Sequence, residues 1–318
     1  MGKIAFLFPG QGSQFVGMGK ELIHQETLAK AIFDQADEKL AMNLSKIIFE
    51  GPEDVLKKTE NTQPALLTIS TAVLELLKQH GITPDYVAGH SLGEYSALVA
   101  AGSLSFDDAV YAVRNRGLFM EEAVPAGVGT MAAVIGFDQE RLEAISAEVS
   151  AGEESVQVAN LNCPGQIVIS GTVGGVEKAS ALAKEEGAKV IPLQVSGPFH
   201  SSLMKPAAEK YQAILNEIDI KDAKTPVIAN VTAKPITSKD DIKHKLIEQL
   251  YSPVRWEESI RELMDLGVDT FVEIGPGKVL SGLVKKVNRR ANVIAVGDSK
   301  TIQSAVEKLK GESADVRK

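Results

Sequence analysis

Residues Ile4–Phe8 are an unbroken apolar run ended by Pro9-Gly10. A strand with one wet face alternates apolar and polar side chains, so a short continuous run predicts a strand buried on both faces. Such strands belong to parallel sheets, and parallel neighbours need crossover connections that are usually helices. The first strand therefore predicts an α/β chain.

The pattern downstream agrees. Leu66, Ile69, Val73, Leu76 and Leu77 recur at helical spacing between Pro64 and Gln79, with Pro64 suited to the first turn and Gly81 to the stop. This segment is expected to be a helix packed on the sheet. A strand at 86–89, a helix at 92–101 and a helix at 106–122 capped by Ser105 follow. From Gly129 the rhythm changes. Segments 131–135, 138–148, 156–161, 166–171, 176–186 and 189–195 read as strand, helix, strand, strand, helix, strand, which is the order of a ferredoxin-like unit. Strand candidates at 227–230, 270–274 and 293–296 return to α/β alternation. The expected architecture is a large α/β-hydrolase-like domain with a parallel sheet, made of residues 1–126 and 197–318, interrupted by a small ferredoxin-like α+β subdomain at 127–196. No repeat with a period of about 20–50 residues is visible.

At 318 residues the chain can bury a sizeable core without disulfides or metals. Disorder is expected only from Gly311 to Lys318. A single cysteine, Cys163, excludes an internal disulfide and a cysteine-rich metal site, and suits a reducing compartment. A net charge of −8 argues against broad nucleic-acid binding. The apolar run after Lys3 is shorter than the ~7–15 residues of a signal-peptide core, so neither membrane insertion nor export is expected and a cytoplasmic location is the default. Gly2 is no myristoylation site, because position 6 is Phe6.

Gly89-His90-Ser91-Leu92-Gly93 fits G-x-S-x-G between a predicted strand and a predicted helix. Small glycines permit a sharp turn that exposes a hydroxyl, and a helix N-terminus offers free N–H groups to a developing oxyanion. Ser91 is the candidate nucleophile. A glycine-rich turn with an N-cap serine is the alternative reading of the motif alone. A serine hydroxyl needs a base. His24 and His244 lie in charged helical stretches, His80 ends a helix beside Gly81, and His90 is expected to point away from Ser91. His200 follows the inserted unit in Ser196-Gly197-Pro198-Phe199-His200-Ser201, where glycine and proline shape a loop able to hold a site residue. A solvated loop histidine is the other reading.

Phe8-Pro9-Gly10-Gln11-Gly12-Ser13-Gln14 leaves the first strand as a glycine-rich loop. It lacks the third glycine of a dinucleotide fingerprint, and Met18-Gly19 stands where a phosphate loop has its lysine and hydroxyl residue. No nucleotide cofactor is implied. A loop at the C-terminal end of such a strand is where α/β sheets hold ligands, and its backbone could donate to an oxyanion.

Together with Leu7–Gln14 and Gly89–Tyr95, the motifs Arg116-Gly117 with Met120, Asn160–Gln166, Gly197–Ser201, Gln249-Leu250 with Pro253–Trp256, and Glu273–Gly277 fall in one order. In that order the chain resembles the malonyl-CoA:acyl carrier protein transacylases of fatty acid synthesis, from about residue 4 to 296. The resemblance implies Ser91 as nucleophile, His200 as its base and later acid, and the backbone N–H groups of Gln11 and Leu92 as oxyanion donors. It implies that Arg116 holds the malonyl carboxylate, that the Gln249 carbonyl orients His200, and that Asn160, Asn162 and Met120 shape the pocket, with Phe199 crowding the substrate α-carbon. By itself, Arg116 would read as a solvated helix residue. The implied substrates are malonyl-CoA and acyl carrier protein, with no metal or further cofactor.

Two other readings share these residues: a serine hydrolase or thioesterase, and a catalytically silent carrier-binding module. The carrier in this family is small and strongly acidic, whereas the chain is acidic overall, so docking needs a local basic patch. Lys285, Lys286, Arg289 and Arg290 form the densest one, and if the stretch is helical, Lys286, Arg289 and Arg290 share a face. A solvated helix face is the plain alternative.

Overall fold

The computed structural model describes residues 2–125 and 127–315. Met1, Ala126 at the expected edge of the insertion, and the last three residues lie outside the described residues. β1 (Lys3–Phe8) is followed by α1 (Lys20–Gln25), α2 (Thr27–Leu40), α3 (Leu44–Glu50), α4 (Glu53–Lys57) and α5 (Thr59–Gln79). β2 (Tyr86–Gly89) leads through a tight turn to α6 (Gly93–Ala100) and then to α7 (Phe106–Glu122). Next come β3 (Gly129–Ile135), α8 (Gln139–Ser150), β4 (Val156–Cys163), β5 (Gln166–Thr172), α9 (Val173–Glu185) and β6 (Lys189–Pro192). The chain continues through α10 (Lys205–Glu217), β7 (Val227–Ile228), β8 (Pro235–Ile236), α11 (Lys239–Gln249) and α12 (Trp256–Asp265). It ends with β9 (Val268–Ile274), α13 (Val279–Val287), β10 (Asn292–Val296) and α14 (Ser299–Asp315).

The larger sheet has six strands in the order β10-β9-β1-β2-β7-β8, parallel except for β8 at the edge. Every residue of β1 after Lys3 is buried, as its apolar run requires. Ile4, Phe6 and Phe8 face a core that also takes Val87, Val272 and the apolar residues of α5, α6 and α7. Ala5 and Leu7 point the other way, into a core with Ala88, Phe271, Ile260 and Leu263 of α12, and Leu280 and Leu283 of α13. Burial of each such phenylalanine contributes roughly 1.5–3 kcal/mol. Glu273, buried on β9, accepts the Leu280 and Ser281 N–H groups at 3.0 and 2.7 Å and so caps α13.

The second sheet is antiparallel in the order β4-β5-β3-β6, the arrangement of a ferredoxin-like unit. Its strands divide their side chains by parity. Ala132, Val134, Val158 and Ile169 pack under α8 and α9, while Met131, Ala133, Ala159 and Val168 join the main core. The Leu161 N–H reaches the Val254 carbonyl at 2.9 Å and the Val254 N–H reaches that of Ala159 at 2.8 Å, which ties β4 to the segment before α12. We propose that residues 127–196 form a subdomain on this basis, with a core of its own on one face only.

Expectations at Pro64 and at two strand ends are corrected. α5 begins at Thr59, so Pro64 lies inside the helix and not in its first turn. The Glu60 carbonyl that Pro64 leaves unbonded accepts from Arg114 Nη1 at 2.7 Å, which satisfies the group a proline would orphan. As expected, α5 packs on the sheet, with Leu66, Ile69 and Val73 in one core with Phe6 and Phe8 of β1, and it also packs on α7 and α2. The expected strands 189–195 and 227–230 stop at Pro192 and Ile228, and Asn230 leaves the ladder to bond elsewhere. The tail from Gly311 to Lys318, expected to be disordered, lies outside the residues whose side chains are described.

Candidate active site

Ser91 sits on the turn between β2 and α6 with a φ of +52°, in the left-handed region. That conformation costs a non-glycine residue roughly 1–2 kcal/mol, so surrounding contacts must hold it. The turn is tight enough to need glycines on both sides. A Cβ on Gly89 would lie 1.9 Å from the Gly93 carbonyl carbon, and one on Gly93 would lie 2.0 Å from the Phe8 oxygen. The loop after β1 is equally close, since a Cβ on Gly10 would approach the His90 oxygen to 2.4 Å. Gln11 and Leu92 thus line one cavity with Ser91. Neither backbone N–H is taken by a hydrogen bond among the described residues.

His200 reaches this hydroxyl from the loop after β6. Its Nε2 lies 2.7 Å from Ser91 Oγ, and its Nδ1 lies 2.8 Å from the Gln249 carbonyl at the end of α11. A carbonyl can only accept, so Nδ1 carries the proton and Nε2 is the acceptor facing the serine. His200 also has a positive φ of +58°. Its loop is held by Ser201 Oγ donating to the Pro198 carbonyl at 2.6 Å, and by Gln157 of β4 donating to the His200 carbonyl at 3.3 Å. Burial first, and the Arg116 charge second, push the imidazole pKa down to about 3. It is neutral and able to accept a proton at neutral pH.

Arg116, expected from sequence alone to be solvated, is only 1% exposed. Its Nη1 donates to Gln63 Oε1 at 2.8 Å, and its Nη2 to Gln249 Oε1 at 2.9 Å and Ser91 Oγ at 3.2 Å. Two neutral amides and a hydroxyl leave its charge without a carboxylate among these partners. Its Nε, buried, has no hydrogen-bond partner. Gln63 also bonds the Met120 sulfur at 3.4 Å. With Met120, Asn160, Phe199 and Met131, these groups enclose a cavity of about 120 Å³ at Ser91.

Some placements differ from the sequence reading. Asn162 does not line the cavity. Its Oδ1 lies 2.8 Å from Nε2 of His90, and His90 lies in the cavity wall with its ring 5.5 Å from Trp256. Burial lowers the His90 pKa as well. Gln249 contributes its side chain in addition to its carbonyl, and Gln63, Glu94 and Asn230 form the buried surroundings of Ser91. Glu94 stands inside the serine motif and Asn230 ends an expected strand, but a single sequence holds no signal that joins them in space. Burial pushes the Glu94 carboxyl up to about 7, against hydrogen bonds from Asn230 and Gln249 and the Arg116 charge.

The basic patch is not one helical face. α13 ends at Val287, where Asn288 turns extended, and Arg290 N–H bonds back to Asn288 Oδ1 at 2.9 Å. Lys285 Nζ is held by the Ala291 carbonyl at 2.7 Å, and Lys286 Nζ by Gln166 Oε1 of β5 at 3.0 Å. All four basic residues remain exposed, and Lys286 sits beside the second sheet's β5 strand.

A serine hydroxyl on a helix-entering turn, faced by a neutral imidazole and two free N–H groups, is the equipment of an acyl-transferring enzyme. The chain belongs to the acyl transferase family, whose domain profile matches residues 5–314, and within it to the malonyl-CoA:acyl carrier protein transacylases. It is 67% identical to the malonyl CoA-acyl carrier protein transacylase of Bacillus subtilis, over 98% of this chain and 99% of that protein. The transacylase structure from Coxiella burnetii matches with a TM-score of 0.94 at 41% identity, covering 96% of this chain and 98% of that one. A malonyl-transacylase solved in complex with its type II polyketide acyl-carrier protein matches with a TM-score of 0.93 at 42% identity, covering 96% and 99%.

Proposed function

We infer that this chain transfers a malonyl group from malonyl-CoA to the phosphopantetheine thiol of acyl carrier protein in fatty acid synthesis, through an ester on Ser91. The observation that carries the assignment of roles is the convergence on one hydroxyl of His200 Nε2 at 2.7 Å and Arg116 Nη2 at 3.2 Å. Arg116 binds the substrate carboxylate, for which a planar guanidinium offers paired donors. That contact places the thioester carbonyl over Ser91. Ser91 Oγ attacks the carbonyl carbon as His200 Nε2 takes the hydroxyl proton, and the negative oxygen lies between the Gln11 and Leu92 N–H groups. The tetrahedral intermediate collapses, the C–S bond breaks, and the imidazolium returns its proton to the CoA sulfur. The carrier thiol then gives its proton to His200, attacks the ester, and releases Ser91 with its proton restored. The Gln249 carbonyl holds Nδ1 as a donor in both halves, where a serine protease uses a carboxylate.

Serine, imidazole and backbone donors supply nucleophile, proton transfer and charge stabilisation, so these steps ask for no metal or further cofactor. No described helix is long and apolar enough to cross a membrane, and a cytoplasmic location belongs to the same reading. Mass spectrometry of the intact chain after mixing with malonyl-CoA tests it. One malonyl adduct on Ser91, discharged by holo-carrier and absent from Ser91→Ala, is expected. A wild-type chain that forms no adduct, or that gives free malonate faster than malonyl-carrier, would overturn it in favour of silence or hydrolysis.

A further inference from the structure

One side chain bridges both limbs of the strained serine turn. Asn230 Oδ1 accepts the Ser91 N–H at 2.7 Å, and Asn230 Nδ2 donates to the Gly89 carbonyl at 2.7 Å. One planar amide therefore spans the turn as acceptor on one limb and donor on the other, which an ionised aspartate of the same size cannot do. The contact also occupies the Ser91 N–H, which leaves the Gln11 and Leu92 N–H groups to face the cavity. Asn230 follows β7, which pairs with β2 directly beneath the turn.

Asn230 is in turn fixed by Glu94, which lies three residues beyond Ser91 and is 1% exposed. Glu94 Oε2 accepts the Asn230 N–H at 3.1 Å and Gln249 Nε2 at 2.7 Å. The Gln249 amide reaches the Ser91 carbonyl at 3.1 Å and Asn230 Oδ1 at 3.3 Å. Its Oε1 receives Arg116, and its backbone oxygen holds His200. The nucleophile, the base and the arginine are thus each connected to one buried carboxylate oxygen through at most two hydrogen-bonded residues.

We propose that Asn230 and Glu94 are positioning residues for acyl transfer: Asn230 locks the Ser91 turn through both of its amide groups, and Glu94 aligns Asn230 and Gln249 by accepting from both. This rests on the Ser91 role proposed above. Neither residue touches the substrate, so their loss should slow acylation without weakening substrate capture, and a misplacement of about 1 Å can cost up to about 100-fold in rate. Glutamine at 94 keeps an acceptor oxygen in the same place and should work; alanine should not.

Single-turnover acylation by malonyl-CoA, followed by intact mass and normalised to the folded fraction, separates the cases. Asn230→Ala and the isosteric Asn230→Asp should lower the saturating rate by about 10- to 100-fold, with the half-saturating malonyl-CoA concentration within about threefold. Glu94→Ala should fall about tenfold or more, and Glu94→Gln should stay within about threefold of wild type. Asn230 variants at the wild-type rate per folded chain, or a change confined to half-saturation, would overturn the Asn230 role. A Glu94→Gln rate as low as that of Glu94→Ala would show that charge matters in place of the accepting oxygen, and a wild-type rate for Glu94→Ala would remove Glu94 altogether. A wild-type chain that never acquires malonyl would instead remove the Ser91 role itself.

Discussion

Arg116→Ala offers the sharpest separation between binding a malonyl carboxylate and merely supporting the serine. In the free enzyme the guanidinium is fully buried yet hydrogen-bonded only to Gln63, Gln249 and Ser91, none of them anionic. A carboxylate arriving there meets a desolvated positive charge. Truncating one partner of such a buried, hydrogen-bonded charge pair costs about 2–5 kcal/mol, which at about 1.4 kcal/mol per factor of ten is roughly 30- to 5,000-fold. Acetyl-CoA has no carboxylate and should be spared that loss. Both acyl groups should share whatever follows from losing the 3.2 Å contact to Ser91 and the support of Gln249. The informative quantity is therefore the ratio of malonyl to acetyl kcat/KM, measured by transfer to holo-carrier. We expect that ratio to collapse by roughly 30-fold or more, with Arg116→Lys intermediate because a lysine keeps the charge and loses the paired geometry. An unchanged ratio, with both activities equally reduced, would refute carboxylate binding and leave Arg116 a structural group.

Four further outcomes follow from the same geometry. Because burial and Arg116 hold the His200 pKa at about 3, kcat/KM should show no acid limb near pH 6.5 in either wild type or Glu94→Gln, and such a limb in both would refute a neutral His200. The same shift is present as stability above the unfolded value of about 6.5 and is lost as pH falls toward 3, so thermal melts of His200→Ala should lose less between pH 7 and 5 than those of wild type. Phe199, 5% exposed in the cavity wall, should exclude a substituent on the α-carbon, so Phe199→Ser should raise methylmalonyl relative to malonyl transfer; an unchanged ratio would remove Phe199 from selectivity. Reversing Lys286 and Arg290 to glutamate should raise the apparent KM for carrier protein several-fold and weaken the rise of that KM with salt, while acylation of Ser91 stays near its original rate. Equal losses in both half-reactions would place the patch in folding or CoA binding, and no loss in either would place docking elsewhere.

What could be read from the sequence was whatever local chemistry dictates. The apolar run of β1, the Ser105 cap of α7 and the βαββαβ rhythm of the second sheet need only near neighbours to be interpreted, and they recur in the fold at similar bounds, save that β6 stops at Pro192. Pro64 misled because a lost intrahelical bond was made good by Arg114, from a different helix far along the chain. The basic stretch misled for a related reason: spacing alone offers a helical face, whereas Asn288 competes for the backbone and ends the helix before Arg289.

The site divides along the same line. Ser91 is marked by glycines that its turn physically needs, so a motif could find it. Arg116, Gln63, Glu94 and Asn230 carry no such mark, since a polar residue on a helix or at a strand end ordinarily points to water. They are buried here because each satisfies another, and the cost of leaving any one of them unpaired in the interior is what couples them. A carboxyl raised to about 7 and an imidazole lowered to about 3 are the electrostatic record of that burial. As pH falls below about 6.5, His200 weakens the fold because the unfolded chain takes up its proton more readily; over the range from about 7 down to 4.5, Glu94 strengthens it because the folded chain does. The opposed slopes offset each other across that interval, so the charge cluster under the serine can be buried without making the fold steeply pH-sensitive. Removing the carboxyl in Glu94→Gln takes away one slope alone, which makes the melting temperature of that variant fall more steeply than wild type between pH 7 and 5.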